Sequence, residues 1–285
     1  MLKKILIACL MTSLISVPAL AKENPEPKKE NKQHQEEKDH SSKKQAKSND
    51  DQMIKKPDSV VDIAQKNTYP NPNQNEPQLQ PSAMTKELFN TSKVEIENPT
   101  LIRLLNESSI HTSKLSLGYR ARIYLGNWAL NYQSSKTTVN WEYKKVNENL
   151  LDNRGGKQMQ NLSYNQERQL KVSGGLTAQV PNQKEVKKLM MLEAAEKTNL
   201  PLAFETYVGV GTKIDRVYHV ETKKVGHLSG YVPAVNEKGK VTYGEVYLVL
   251  NGGHKSIEVK NVTHQGIGAW IPIQDYVSLR YFVSN

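Results

Sequence analysis

The stretch KLSLGYRARIYL, residues 114–125, constrains the fold more than any other part of the chain. Leu115, Leu117, Tyr119, Ala121, Ile123 and Leu125 alternate with Ser116, Gly118, Arg120, Arg122 and Tyr124. A two-residue period sends successive side chains to opposite sides of an extended backbone. The pattern therefore predicts a long antiparallel strand with one buried face, and it gathers Arg120, Arg122 and Tyr124 on the polar side.

The segments that follow read as further strands. Gly126-Asn127 is expected to turn into WALNYQS, and TTVNWEY (137–143) is a strand candidate. Residues 147–165 are polar, with Gly155-Gly156 marking a loop. RQLKVSGGLTAQV, PLAFETYVGVGTKI and RVYHVE regain strand character, and SLRYFVS closes the chain. Residues 231–262 read as a three-stranded meander with turns at Asn236–Lys240 and Asn251–Gly253. Two helices stand out. In 97–109 Asn98 can cap, Pro99 suits the first turn, and Leu101, Ile102, Leu104 and Leu105 share a face. In 183–197, after Pro181, Val186, Leu189, Met190 and Ala194 share a face. The expected fold is α+β: a mostly antiparallel sheet with two or three helices in a single domain, without βαβ alternation.

The N-terminal part has a different composition. Residues 1–21 carry Lys3-Lys4, an apolar run from Ile5 to Val17, Pro18, and small residues Ala19 and Ala21 at cleavage-site positions. This is a signal-peptide pattern, with cleavage expected after Ala21. LIAC (6–9) matches a lipobox by letters, which would lipidate Cys9, but only Ile5 to Ala8 precede that cysteine as apolar chain. An uncleaved anchor over Ile5–Ala21 is a third reading, at the short limit for crossing a bilayer. Membrane attachment is expected only if the signal is retained or Cys9 is lipidated; otherwise the protein is secreted or associated with the wall surface. Cleavage at Ala21 leaves no cysteine, since Cys9 is the chain's one cysteine, hence neither disulfide nor thiolate nucleophile.

Residues 22–57 are charged and nearly free of apolar side chains, the composition of a disordered spacer. Residues 58–82 are Pro-rich and expected to be extended. The folded domain is expected to run from 58 to 285 with this lead-in. Positive charge concentrates there: Lys22–Ser82 holds 11 lysines and 11 acids, whereas Ala83–Asn285 holds 26 basic and 18 acidic residues. A basic domain attracts polyanions. Export argues against nucleic acid and for an anionic wall or surface polymer.

Chemical motifs are sparse. No HExxH, CxxC or helical His pair is present, so no metal site or cofactor is expected. His111, His219, His227, His254 and His264 fall in separate segments. GHLSG (226–230) resembles a nucleophile elbow, but its serine comes one place late. GVGTK (209–213) lacks P-loop spacing, and its glycines suit bulges or close backbone approach. Glu142, Glu205 and Glu245 lie on expected strands without a predictable pairing, and no catalytic residue is assigned. The candidate ligand-binding residues are Arg120, Arg122 and Tyr124 with Trp128 and Trp141, because guanidinium forks pair with phosphate or carboxylate and aromatic faces stack on rings. The expected function is a non-catalytic, exported binding module for an anionic envelope component. The alternatives are a wall-directed hydrolase with unidentified carboxylates or a Ser/His pair, and a protein-binding or inhibitory module.

Several stretches resemble one family: NTYPNPNQNEPQLQPSAMTKEL, LGYRARIYLGNWALNYQS, NWEYKKVN, DNRGGK, PAVNEKGKVTYGEVYLVL and KNVTHQGIGAWIPIQD. Together they resemble the YfkD-like proteins of bacillus-type Gram-positive bacteria. The resemblance runs from about Ser59 to the C-terminus and draws the Pro-rich stretch into the domain. It implies an exported protein and supplies no catalytic residues. The charged segment 22–57 departs from it by length.

Overall fold

The computed structural model describes residues 54–68, 71, 79–110 and 118–285. The signal segment with Cys9, Ala19 and Ala21, the spacer up to 53, most of the Pro-rich stretch, and His111, Leu115 and Leu117 lie outside the described residues. In chain order the strands are β1 (Val60–Asp62), β2 (Arg120–Asp152), β3 (Gln160–Asn165), β4 (Leu170–Ser173), β5 (Gly175–Leu176), β6 (Glu205–Val208), β7 (Lys213–Val220), β8 (Val225–Asn251), β9 (His254–Pro272) and β10 (Tyr276–Ser284). The helices are α1 (Ala83–Phe89), α2 (Pro99–Asn106) and α3 (Gln183–Thr198). The α+β class and the mostly antiparallel sheet are as expected.

β2 has 33 residues and β8 has 27. At about 3.3 Å per residue they reach about 110 and 90 Å, far beyond the usual strand length of about 5–6 residues. β8 is central. Its whole length pairs with β2 on one side. On the other side Val225–Tyr231 pairs with β10 and Ala234–Asn251 with β9. β1 extends β10, β5 extends β9, and β3–β7 and β4–β6 form two small separate sheets. The outer strand β2 carries five register shifts along its pairing with β8. Bulges of this kind twist and interrupt an edge that would otherwise invite edge-to-edge association.

The ribbon buries its apolar side chains in three successive clusters. Leu228 and Val232 pack with Val146, Leu162, Tyr164, Ile214 and Leu279. Val235, Val241 and Tyr243 pack with Ile267, Ile271 and, from α3, Val186, Leu189, Met190 and Ala194. Val246 and Leu248 pack with Leu130, Ile257, Leu88 of α1, and Leu101 and Leu105 of α2. Val232 and Val235 are three positions apart, as are Tyr243 and Val246, so strand alternation places successive clusters on opposite faces. The layers over the ribbon change side twice, and in the middle segment the face opposite α3 carries exposed side chains at Lys238 and Lys240.

The helices are placed by their caps. Asn98 is fully buried; its Oδ1 accepts from the amides of Thr100 (2.9 Å) and Leu101 (3.0 Å), and its Nδ2 donates to the Ala129 carbonyl at 2.7 Å. One side chain thus caps α2 and ties it to β2. α1, which the sequence pattern did not single out, is capped by Ser82, and the Asn106 Oδ1 of α2 accepts from Ser82 N and Thr85 Oγ1, each at 2.8 Å. α3 follows the expected span and ends at Asn199 in the left-handed conformation (φ 52°).

Three local expectations are corrected. Gly126-Asn127 is not a turn but strand within β2, paired with Val246 and Glu245 just after a bulge at Leu125, with Gly126 at φ +119°. Asn236–Lys240 is uninterrupted strand, held on both sides by Thr138–Gln133 of β2 and Trp270–Gly266 of β9. Gly209–Thr212 is a turn, with Gly211 at φ +78°, that separates β6 from a single strand β7. The described residues form one compact unit.

Candidate functional site

Arg120, Arg122 and Tyr124 share one face at the far end of the ribbon, opposite Asn251, Val249 and Tyr247. An open depression of about 430 Å³ runs along Arg120, Ala121, Arg122, Val249, Leu250 and Asn251. Arg122 is engaged there: it donates to Glu258 and lies over the Tyr247 ring at 5.4 Å. The Arg122 guanidinium beside it holds the Glu258 carboxyl below the usual range. Tyr124 and Tyr247 are in contact at 5.2 Å, and the Tyr247 hydroxyl donates to Glu245 at 2.8 Å. This side is therefore a cross-strand lattice of rings and ion pairs, with Arg120 as its unpaired cation among the described residues.

The two tryptophans do not join this trio. Trp128 stands opposite Gly244 on the other face, packs against the α1–α2 cluster, and donates its indole N–H to Leu125 O at 3.0 Å. Trp141 packs at the margin of the α3 cluster. The three carboxylates also stay apart: Glu142 pairs with Arg280 (3.2 Å), Glu205 with Lys171 (2.8 Å), and Glu245 accepts from Tyr247. Ser229 of the GHLSG stretch is buried mid-strand in β8. Its hydroxyl donates to Glu148 Oε1 at 3.3 Å. His227 lies 3.1 Å from Ser284 Oγ and 3.7 Å from Glu148, but Phe282 stacks flat on its ring at 4.5 Å and 3°. That stack and the long carboxylate contact mark a packed sheet face rather than a nucleophile with room for a substrate.

A row of unpaired charges lies in the middle of the ribbon, on the face opposite α3. Lys136 of β2 stands directly across from Lys238 of β8, and Lys240 follows two positions along, across from Gln133. All three are exposed, and none has an ion-pair partner among the described residues. Directly opposed like charges destabilise a strand pair. A two-residue strand step spaces Lys238 and Lys240 by about 6.7 Å. The β9 neighbours Gly266 and Gly268 add no side chain above this row. Sequence reasoning missed the site because it placed a turn at Asn236–Lys240. The signal in the sequence was the alternation N-E-K-G-K itself, with lysines two apart.

The opposite side of the same segment is closed. Glu237 is fully buried and accepts hydrogen bonds from Tyr132 OH (2.8 Å) and Thr137 Oγ1 (2.6 Å). Burial and the neighbouring Glu237 carboxylate push the Tyr132 phenol far up. Gly239 makes this arrangement possible: a Cβ there would sit 2.2 Å from Gln133 O and 2.4 Å from the Tyr132 hydroxyl oxygen. A glycine admits the phenol ring over the strand, and the phenol reaches the buried acid. The lysine row is thereby mounted on a rigid, hydrogen-bonded segment.

Another charged group sits against α3. Glu97, Glu193 and Glu196 line a recess with Leu189 and Leu192. Burial, then the nearby carboxylates of Glu95 and Glu193, raise the Glu97 carboxyl above its ordinary value. Among the described residues no group of His, Cys, Asp and Glu is arranged to hold a metal ion.

Comparison with known proteins gives a consistent family. The YfkD-like protein family model matches residues 57–285. The uncharacterized protein YfkD of Bacillus subtilis (strain 168) is 58% identical over 233 residues, covering 82% of this chain and 88% of that protein. Among solved structures, a lamprey immune protein aligns with a TM-score of 0.22 at 9% identity, over 57% of this chain and 53% of that one. With a family match over most of its length and a relative of this identity, the chain belongs to the YfkD-like protein family.

Proposed function

We propose that this protein is a non-catalytic binding module for an anionic polymer of the cell envelope, delivered by the signal-like segment 1–21. The observation that carries the reading is the row Lys136, Lys238 and Lys240 on an uncovered sheet face. Opposed ammonium groups without carboxylate partners raise the energy of the free protein, and a bound polyanion relieves it. Lysine suits such a ligand as a flexible point charge, tolerant of the exact position of each anion. Arg120 offers a further cation at the far end.

The test is retention of the full-length protein on purified wall material as NaCl is raised. Each lysine that neutralises a polymer anion contributes about 0.7 to the slope of log affinity against log salt, by analogy with single-stranded polyanions. The variant K136Q/K238Q/K240Q should lose about 2 units of slope, and with them about tenfold or more of affinity at low salt. R122Q, whose guanidinium is already held by Glu258, should change the slope far less. Retention that ignores salt, or a triple variant that behaves as the native protein, overturns the reading.

A further inference from the structure

We infer that the polymer held on the lysine row is a glycan, its sugar rings seated beside the lysines on the Tyr143–Trp270 pair. This rests on the binding reading above and narrows its ligand. Trp270 of β9 stands across from Asn236, which precedes Lys238 by two positions and shares its face. The Trp270 and Tyr143 rings stack at 5.0 Å and 21°, and both are half-buried, so each keeps surface toward solvent. The Trp270 indole N–H has no hydrogen-bond partner among the described residues, unlike that of Trp128. Aromatic side chains with an apolar face and a free polar tip suit a ring that is apolar on its C–H face and hydroxylated at its edge.

The surroundings point the same way. Thr138 lies across from Asn236 on β2, and Gln133 lies across from Lys240. Both are exposed, and the side chains of Thr138, Gln133 and Asn236 make no hydrogen bond within the described protein. Uncharged amides and hydroxyls bind sugar hydroxyls as donor and acceptor together. An inorganic polyanion can accept from their N–H and O–H groups, but it has no use for their acceptor oxygens or for the rings. The face thus offers two chemistries in one line, ring contacts at one end and cations at the other, with neutral hydrogen-bonding groups beside both. The shared ligand class is a glycan carrying anions, whether phosphodiester or carboxylate.

The experiment is a titration of the full-length protein with four probes: inorganic polyphosphate, a sugar-phosphate polymer, a polyuronate and neutral dextran. Binding is read by calorimetry at equal anion concentration. An anionic glycan should bind about tenfold or more tighter than polyphosphate, in keeping with the worth of one or two stacking contacts. Neutral dextran should show no binding. Trp270→Phe and Asn236→Ala should each reduce that preference and leave polyphosphate affinity unchanged. The sugar-phosphate and polyuronate arms distinguish the two anion sources. Equal affinity for polyphosphate and both anionic glycans, or a preference untouched in both variants, overturns the inference and leaves the binding reading standing. Polyphosphate and glycan binding that both survive in K136Q/K238Q/K240Q overturns the binding reading itself.

Discussion

Gly239→Ala tests whether β8 runs through residues 236–240 as one strand. In a solvent turn the added methyl would meet no neighbouring atoms, and its cost would be at most about 1–2 kcal/mol, that of a left-handed φ. In the strand, the new methyl would sit 2.2 Å from a backbone carbonyl oxygen and 2.4 Å from the Tyr132 hydroxyl, so the backbone of β2 has to move. Overpacking of this kind costs about 1–3 kcal/mol. Displacing the phenol also removes one of the two hydrogen bonds to the buried Glu237, a further cost of about 1–3 kcal/mol. The lost flexibility of the unfolded chain returns about 0.4–1 kcal/mol. The net is about 2–5 kcal/mol, or a fall in Tm of roughly 5–15 °C for a domain of this size. Gly266→Ala is the control: it lies in β9 across from Lys240, has nothing within 4 Å of an added Cβ, and has no left-handed φ. It should be neutral or stabilising by up to about 1 kcal/mol. Urea and thermal unfolding followed by circular dichroism measure both variants. A Gly239→Ala protein within about 0.5 kcal/mol of Gly266→Ala would refute the continuous strand and the seating of Tyr132 over it.

Other substitutions probe separate joints. Tyr132→Phe keeps the ring but leaves Glu237 with the Thr137 hydroxyl as its remaining donor, so unfolding free energy should fall by about 1–3 kcal/mol. Asn98→Ala removes the cap of α2 and its tie to Ala129, and should cost about 1–3 kcal/mol in the same assay. Arg122→Ala breaks an exposed pair with Glu258 and should change stability by less than about 1 kcal/mol. Glu97 carries a raised carboxyl pKa, so folding favours its neutral form: that stability is complete below the unfolded value and is lost as pH rises through the folded one. Glu97→Gln should therefore melt higher than the native protein at about pH 7 and together with it at about pH 3, where both side chains are uncharged. A difference that persists at low pH would assign the effect to packing.

The parts legible in the sequence were those governed by local chemistry. The Asn98-Pro99 start of α2 and the apolar face of α3 were read correctly because caps and 3.6-residue periods act within a few turns. The alternation of Arg120, Arg122 and Tyr124 placed them on one face of β2 for the same reason, but the buried face expected opposite them is not there: Tyr119 and Ile123 are 57% and 44% exposed, because no layer covers that end of β2. What lay beyond reach was the company these residues keep. Glu258 stands 136 positions from Arg122, and the bulge at Leu125 turns Trp128 toward the helix-covered side. Neither partner nor bulge has a local signature.

The misread turn at Asn236–Lys240 has a more general cause. A strand buried on one face shows apolar residues in a constant phase. In β8 the phase shifts twice: Leu228 and Val232 are in step, then Val235, Val241 and Tyr243, then Val246 and Leu248. Each shift marks the place where the covering layer moves to the other side of the ribbon. A reader who expects one buried face must interpret a phase shift as the end of a strand. Between Val235 and Val241 the polar run N-E-K-G-K supplied the residues a turn would use. The side opposite α3 has no covering layer there, which is why lysines are tolerated at 238 and 240 and why they remain available. Glu237, on the covered side of the same five residues, is instead enclosed and hydrogen-bonded. One short run therefore holds a fully buried acid and two exposed cations, separated only by strand alternation. A register slip of one residue would exchange them, exposing Glu237 and burying two ammonium groups. The pairing of β8 on both sides, with Tyr132 locked over Gly239, makes that slip costly and keeps the lysine row facing outward.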